Sequence, residues 1–394
     1  MKKTTKRCRG SLLGFLIVIL SMFASGNVFA EYKMNLTKGV TEFSQEVYDL
    51  HMIIFGICLV IAILVFGAMF YSIFAHRKSK GVTAAQFSHS TKAEIIWTVI
   101  PILILIIISF PATKTLLTME NPTLNGENVQ MDMTIKVTGF QWKWKYDYLD
   151  NGISILSTLD RESNLTRQLG DIPGKKKPEE VENYLLNVDH PLVIPVDTNI
   201  RILLTANDVI HSWWVPKFGW KRDAIPGFVN EAWTNVNKIG TYRGQCAELC
   251  GKDHGFMPIV VNVVSKADYK TWVKEQLGEK EVAKVKNTST WSKADLIAKG
   301  KEVFNSQCST CHQTTGKGLP PTFPALDGSA VVNGPADEQI KTVVFGRENT
   351  AMQAFGGLLS ESDIAAAITY TRNAWSNTAK DEVQPKDVKR IKNS

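Results

Sequence analysis

The chain has 394 residues, 44% of them hydrophobic, and a net charge of +7. That length leaves room for two or three domains. Five basic residues (Lys2, Lys3, Lys6, Arg7, Arg9) lie at the extreme N-terminus; without them the balance is 40 basic against 38 acidic residues, which excludes a charge-driven nucleic-acid binder.

Residues 1–30 combine this basic start with an apolar stretch, Leu12–Phe23, and a small-residue end at Ala30. The pattern is that of a signal peptide cleaved after Ala30. An uncleaved third membrane anchor is the alternative, for which the apolar stretch is short. Two longer apolar runs, His51–Phe74 and Ile95–Pro111, predict transmembrane helices over about 51–75 and 94–117, within an N-terminal segment and hairpin covering 31–118. Their connection carries Arg77, Lys78, Lys80 and Lys92 and no acid, so it faces the cytoplasm and the chain from 119 onward is extracytoplasmic. Glu94 opens the second helix. It reads either as a dipole-stabilised neighbour of the cap or as a proton-uptake carboxylate at the cytoplasmic membrane face.

Residues 131–148 alternate like a strand, with apolar side chains first at odd positions (Met131 to Val137) and then at even ones (Phe140 to Tyr148). The slip around Gly139 suggests a bulge. An aromatic row in a strand is usually core, although one of its indoles can serve as an electron contact. Residues 150–190 read as an exposed polar insertion. Short strands then return at Leu192–Pro195, Ile200–Leu204, Phe228–Val236, Thr241–Cys246 and Pro258–Val264, which predicts a small β-sandwich within 119–278. His211 is placed on a loop after one strand, and the stretch from Cys246 to Met257 on the loop between the last two. Ala267–Leu277 reads as a helix, 279–291 as a polar linker, and 292–379 as an all-α domain with helices Ser292–Ser306 and Ser360–Trp375. The second of these opens on Ser360-x-x-Asp363, close to a capping box. Phe304 and Tyr370 are expected at the crossing of the two helices. Residues 380–394 read as a frayed polar tail.

Two stretches carry chemistry. The first places Cys246, Cys250, His254 and Met257 within twelve residues, with His211 upstream. Thiolates, imidazoles and a thioether suit copper or zinc and not calcium or magnesium. A Cys246–Cys250 disulfide would leave the histidines and Met257 with no common purpose, and zinc would not need the methionine. Two thiolates can bridge two copper ions and give each one imidazole, with Met257 and a backbone carbonyl as weak ligands. The second stretch, Cys308-Ser-Thr-Cys311-His312, is C-x-x-C-H: two thiols for the haem vinyl groups and an imidazole for the iron. Met352 is the only methionine after Met257 and is the candidate for the opposite axial position.

With these motifs the chain resembles subunit II of haem–copper cytochrome c oxidases carrying a fused C-terminal cytochrome c domain, the caa-type arrangement. The pattern GQC-x-E-x-C-G-x-x-H-x-x-MP is met from Gly244 to Pro258, and Asp208-Val209-x-His211 and Asp223-Ala224-Ile225-Pro226-Gly227 also match. The resemblance implies a multi-domain fold: a two-helix transmembrane hairpin, an extracytoplasmic cupredoxin-like β-sandwich, and an all-α cytochrome c domain. It implies a binuclear copper A centre on His211, Cys246, Glu248 (by its carbonyl), Cys250, His254 and Met257. It also implies one covalent haem c on Cys308 and Cys311 with His312 and Met352 axial, and a magnesium shared with subunit I at the Glu248 carboxylate. Trp142 matches the family's electron-input tryptophan and Glu94 its glutamate at the mouth of a proton channel. The implied partners are subunits I and III, an external cytochrome c or cytochrome bc complex as donor, and the bacterial inner membrane, with both redox domains on the periplasmic side. The family usually has His where this chain has Phe140, and Pro where it has Gln353. A nitrogen-oxide reductase electron-input chain and a membrane-anchored copper carrier are the alternative readings.

Overall fold

The computed structural model describes residues 35–81, 83, 86–120, 123–124, 127–169, 176–348 and 350–394. The expected signal peptide lies outside them.

Helix α1 spans Glu42–Ala75 and α2 spans Thr91–Glu120. Both are long and apolar enough to cross a membrane. Each begins before its apolar run, because a helix continues to its cap whatever the solvent. Thr41 caps α1, accepting from the Ser44 backbone N–H, while the Ser44 hydroxyl accepts in return from the Thr41 N–H. The Thr41 hydroxyl also donates to the Phe218 carbonyl, which pins the foot of α1 to the β domain.

After a two-stranded pair, β1 (Thr123–Leu124) and β2 (Glu127–Asn128), come β3 (Met133–Phe140), β4 (Lys143–Tyr148) and β5 (Ile153–Ser157). Residues 131–148 are therefore not one bulged strand. They form a tight hairpin that turns at Gln141–Trp142, with Ile135 opposite Tyr148 and Val137 opposite Tyr146. Antiparallel partners here pair an odd with an even number, so one buried face changes parity across the turn. That is the slip seen in the sequence.

The insertion at 150–190 is also not simply exposed. It holds β5 and a helix, α3 (Arg161–Leu169), with Leu159, Ser163 and Asn164 buried. The remaining strands are β6 (Leu192–Pro195), β7 (Ile200–Ala206), β8 (His211–Trp214), β9 (Lys221–Ala224), β10 (Asn230–Thr234), β11 (Gly240–Cys246) and β12 (Pro258–Val264). They build two five-stranded sheets, ordered β10-β7-β3-β4-β5 and β6-β12-β11-β8-β9. Between them lies a core of alternating inward residues that includes Ile135, Val137, Trp144, Tyr146, Trp213, Ile259 and Val261. His211 opens strand β8 and does not sit on a loop.

Helix α4 runs unbroken over Lys266–Thr288, through most of the segment expected as a linker. Glu, Lys and Ala are strong helix formers and need no apolar period to stay helical when the first turns are anchored. The all-α region holds α5 (Lys293–Gln307), a short turn α6 (Ser309–His312), α7 (Ala330–Asn333), α8 (Ala336–Phe345) and α9 (Glu361–Asn373). Ser292 and Ser360 cap α5 and α9 by accepting from the Asp295 and Asp363 N–H groups. The two helices cross at Gly300, where a Cβ would come within 2.0 Å of the Ala366 carbonyl oxygen. Phe304 and Tyr370 meet at that crossing with ring centroids 5.5 Å apart.

The expected tail is instead a helix, α10 (Pro385–Lys392), whose Val388 and Ile391 enter the core of this region beside Leu296, Ile340 and Ile364. Two apolar residues one turn apart suffice to dock a helix that otherwise reads as polar. Ile391→Ala is expected to destabilise the all-α region by about 2–5 kcal/mol, measurable as an earlier denaturation midpoint.

Candidate metal centres

Strands β11 and β12 pair in register from Gly240 with Val263 to Gln245 with Pro258, so the chain between them leaves the sheet as a loop with a fixed base. That loop brings together five of the side chains singled out in the sequence. The Cys246 and Cys250 sulfurs are 3.8 Å apart. Cys250 Sγ lies 3.4 Å from His254 Nδ1 and 3.6 Å from Met257 Sδ. Cys246 Sγ lies 3.4 Å from the Glu248 carbonyl oxygen and 3.9 Å from His211 Nδ1. His211 comes from β8, which pairs with β11 next to Cys246. Its ring rests on Gly139, where a Cβ would approach it to 2.8 Å, so this strand position requires glycine.

The arrangement fits a pair of metal ions. A disulfide needs sulfurs about 2.05 Å apart. The observed gap is nearly twice that and accommodates two thiolates sharing metals at about 2.3 Å each. The two cysteines are electrically unequal. Cys246 is pulled down, first by the hydrogen bond from the Cys250 thiol and then by His211; the same bond and burial push Cys250 up. The pair thus yields one proton readily and keeps the second until a metal displaces it.

The motif reading gave Asp208 no role of its own, yet it stands directly behind His211. Its Oδ1 lies 2.9 Å from His211 Nε2, and its Oδ2 accepts from the Gln141 N–H at 2.7 Å. A proton on Nε2 leaves the Nδ1 lone pair facing the sulfurs, the usual work of a carboxylate behind a metal-binding imidazole. Burial opposes charge on His211, but the bonds to Asp208 and Cys246 outweigh it and raise its pKa. The signal was available: an aspartate three residues before the histidine.

The second centre is an open cleft of about 1950 Å³, mouth included, lined by Cys308, Cys311, His312 and Met352. Cys308 ends α5, and Cys311 and His312 follow on α6. His312 Nδ1 donates to the Pro324 carbonyl at 2.9 Å, which leaves Nε2 as the free ligand atom. Burial lowers the His312 pKa and so keeps the ring neutral, and it pushes Cys308 to about 12 and Cys311 to about 11. Two thiols, a neutral imidazole and a thioether around one cleft fit a C-x-x-C-H haem. The Met352 loop is closed by the Arg347 N–H donating to the Met352 carbonyl at 2.8 Å.

The two centres share a wall. Trp142, 8% exposed, donates its indole N–H to the Cys250 carbonyl at 3.1 Å and meets the Phe323 ring of the cleft edge-on at 6.3 Å. Gln353, at the family's usual proline position, donates to the Gln141 carbonyl at 3.4 Å, a bond no proline could make. Lys252, inside the copper loop, donates to the Thr310 carbonyl, inside C-x-x-C, at 3.1 Å. Lys143 lies against the cleft only 4% exposed, donates to Gln307 Oε1 at 3.3 Å and sits 4.6 Å from the centre of the Phe355 ring. Burial pulls its pKa down to about 8. Glu94 takes no part in either centre; it sits exposed in the first turn of α2. The Glu248 side chain is exposed, and the cluster of potential ligands found here among the described residues (His211, Cys246, Cys250) contains no carboxylate.

Asp208→Asn keeps the bulk but weakens the hold on His211. Copper affinity is expected to fall about 10–100-fold, read by competition with a chelator. Lys143→Met is expected to stabilise the fold at pH 7 by about 3 kcal/mol, the cost of holding a lysine whose pKa is lowered from 10.5 to about 8. Above the lower value the folded protein loses the proton first while the unfolded chain retains it, so wild-type stability rises with pH. The advantage of the methionine therefore shrinks between pH 8 and 10.5, which urea titration at both ends of that window checks.

Family models match at three places: the cytochrome c oxidase subunit II transmembrane domain over residues 30–115, its periplasmic domain over 133–264, and the model described as cytochrome c oxidase, cbb3-type, subunit III over 295–370. A probable cytochrome c oxidase subunit 2 of Rickettsia bellii is 40% identical over 258 residues, 65% of this chain and 89% of that protein. Cytochrome c oxidase subunit 2 of Arabidopsis thaliana is 36% identical over 246 residues, 62% of this chain and 90% of that protein. Among solved structures, the periplasmic domain of subunit II of the Bradyrhizobium japonicum cytochrome oxidase is 41% identical, covers 38% of this chain and 97% of its own, and superposes with a TM-score of 0.33. The chain belongs to the cytochrome c oxidase subunit 2 family: it is an inner-membrane, electron-transferring subunit of an oxidase complex, partnered with subunit I, with a copper-binding domain and a cytochrome c domain outside the cytoplasm.

Proposed function

We propose that this chain is the electron-input subunit of a proton-pumping cytochrome c oxidase of the caa type. It accepts electrons on one covalently attached haem c and delivers them by a binuclear copper A centre to subunit I, where oxygen is reduced to water. The observation that carries this reading is Trp142, bonded to the Cys250 carbonyl on one side and in ring contact with Phe323 of the haem cleft on the other.

Cys308 and Cys311 would hold the haem through thioether bonds, with His312 and Met352 on the iron. His211, Cys246, Cys250, His254, Met257 and the Glu248 carbonyl would hold the two coppers. Bound there, these groups supply one-electron chemistry with little rearrangement. The chain's own residues supply the rest. Asp208 holds His211 in one tautomer. Trp142 replaces an empty gap between the two sites with an indole in contact at both ends. Lys252 and Gln353 clamp the walls together on either side of it.

The exposed Glu248 carboxylate suits a magnesium ion completed by subunit I, and Glu94, on the cytoplasmic side, suits the mouth of a proton channel. Subunit III, and an external cytochrome c or cytochrome bc complex that reduces the haem, complete the proposed assembly.

Trp142→Phe in the intact oxidase tests the reading. Haem-to-copper transfer in stopped flow is expected to slow on the order of tenfold or more, as a misplaced contact costs, with metal content and optical bands unchanged. A wild-type rate sinks the role of Trp142.

A further inference from the structure

The insertion between β5 and β6 contains the helix α3, and that helix touches both centres. Arg167 Nη2 donates to Asp253 Oδ2 at 3.1 Å, and its guanidinium lies 4.3 Å from the centre of the Phe256 ring. Asp253 precedes His254 and Phe256 precedes Met257, so Arg167 grips the copper loop beside two candidate ligands. On the other side, Asn164 Nδ2 donates to the Asn305 carbonyl at 3.2 Å, near the end of α5. Gln168 Nε2 reaches Ser309 Oγ, next to Cys308, at 3.4 Å.

One side chain joins the two grips. The Asn164 Oδ1 accepts from Arg167 Nε at 3.0 Å and from Gln168 Nε2 at 2.9 Å, while its Nδ2 holds Asn305. Asn164 is 5% exposed and Asp253 2%, so these bonds are shielded from water and cannot be exchanged for solvent without cost. No residue of this network is a candidate ligand, and none is needed to close a sheet.

We propose that Asn164 is a positioning residue that fixes the haem-attachment helix against the copper loop, its Oδ1 holding Arg167 of the copper-side grip and its Nδ2 holding Asn305 of the haem-side helix. The inference rests on the reading of the two centres given above. It assigns to α3 the task of a strut: it sets where the C-x-x-C-H segment lies relative to Trp142 and Cys250.

Two variants of the full-length chain separate the two grips. Asn164→Asp keeps an acceptor for Arg167 but removes the donor to Asn305 and sets a carboxylate against that carbonyl. Hydrogen–deuterium exchange of residues 305–312 is expected to quicken roughly tenfold, the effect of one lost buried hydrogen bond, while residues 250–257 keep their wild-type protection. In the metal-loaded complex, haem-to-copper transfer is expected to slow roughly tenfold or more at unchanged haem and copper content. Arg167→Met should reverse the pattern: residues 250–257 exchange faster, the copper absorption bands shift, and residues 305–312 stay protected. Wild-type exchange in both segments, or equal loosening of both segments in both variants, overturns the inference. If Asn164→Asp does not accumulate, Arg167→Met alone decides by whether the copper loop loosens selectively. Exchange is read with and without metals, so a wild type that binds no copper pair or no haem overturns the functional reading while the strut is still judged on its own contacts.

Discussion

The structure depends on one carbonyl. The Cys250 oxygen accepts from both the Trp142 indole and the Gln141 side-chain amide, and these two residues are the whole turn between β3 and β4. The turn is held from beneath, because Asp208 accepts from the Gln141 backbone N–H while it steadies His211. A single hairpin tip therefore positions a candidate ligand, the carbonyl beside another, and the indole that faces the cleft. The edge-on contact of Trp142 with Phe323 then ties the all-α region to this tip, a geometry worth about 0.5–1.5 kcal/mol beyond area burial.

The electrostatics of the shared wall follow the same economy. Helix α5 ends at the wall, and the C-terminal end of a helix carries partial negative charge. Lys143 and Lys252 meet that end and the carbonyl just beyond it. Burying Lys143 costs stability, and the nearby Cys308, Cys311, Asp208 and Asp189 oppose it only in part, which is why its pKa stays depressed. A lysine kept at such a place reads as a residue held for where its charge lies and not for stability.

The chemical motifs were legible in the sequence because their spacing is the chemistry. Two cysteines four residues apart with His and Met close behind, and C-x-x-C-H, each leave few alternatives. Strands β6, β7, β10, β11 and β12 and helices α5 and α9 were legible from period and caps, whereas β5, β8, β9 and α8 were not. What stayed hidden was whatever depends on a partner distant in sequence. The parity change at Gly139 is ambiguous until one knows that 131–148 folds on itself. Helix α10 has two apolar residues on a charged background, and only the core of the all-α region gives them meaning. Asn164 and Arg167 looked like surface because polar residues that bond to each other and to carbonyls leave no apolar period. Gln353 looked like a loss from the loop pattern, yet its amide reaches the copper side. Phe140 fills a buried position where the family usually has an imidazole, so it adds no polar group that must find a partner.

On the proposed route, the burial of Trp142 would change the kind of step that reduces the copper side. A soluble donor must collide, orient and leave for every electron, and ionic strength tunes each encounter. Here the surface around Trp142 is already occupied by the chain's own cleft, so the proposed step would be first-order, and neither donor concentration nor added salt would enter its rate. The diffusional search would then lie one centre outward, at the open mouth of the cleft, and any dependence of the whole oxidase on salt or on donor supply would be sought at that rim.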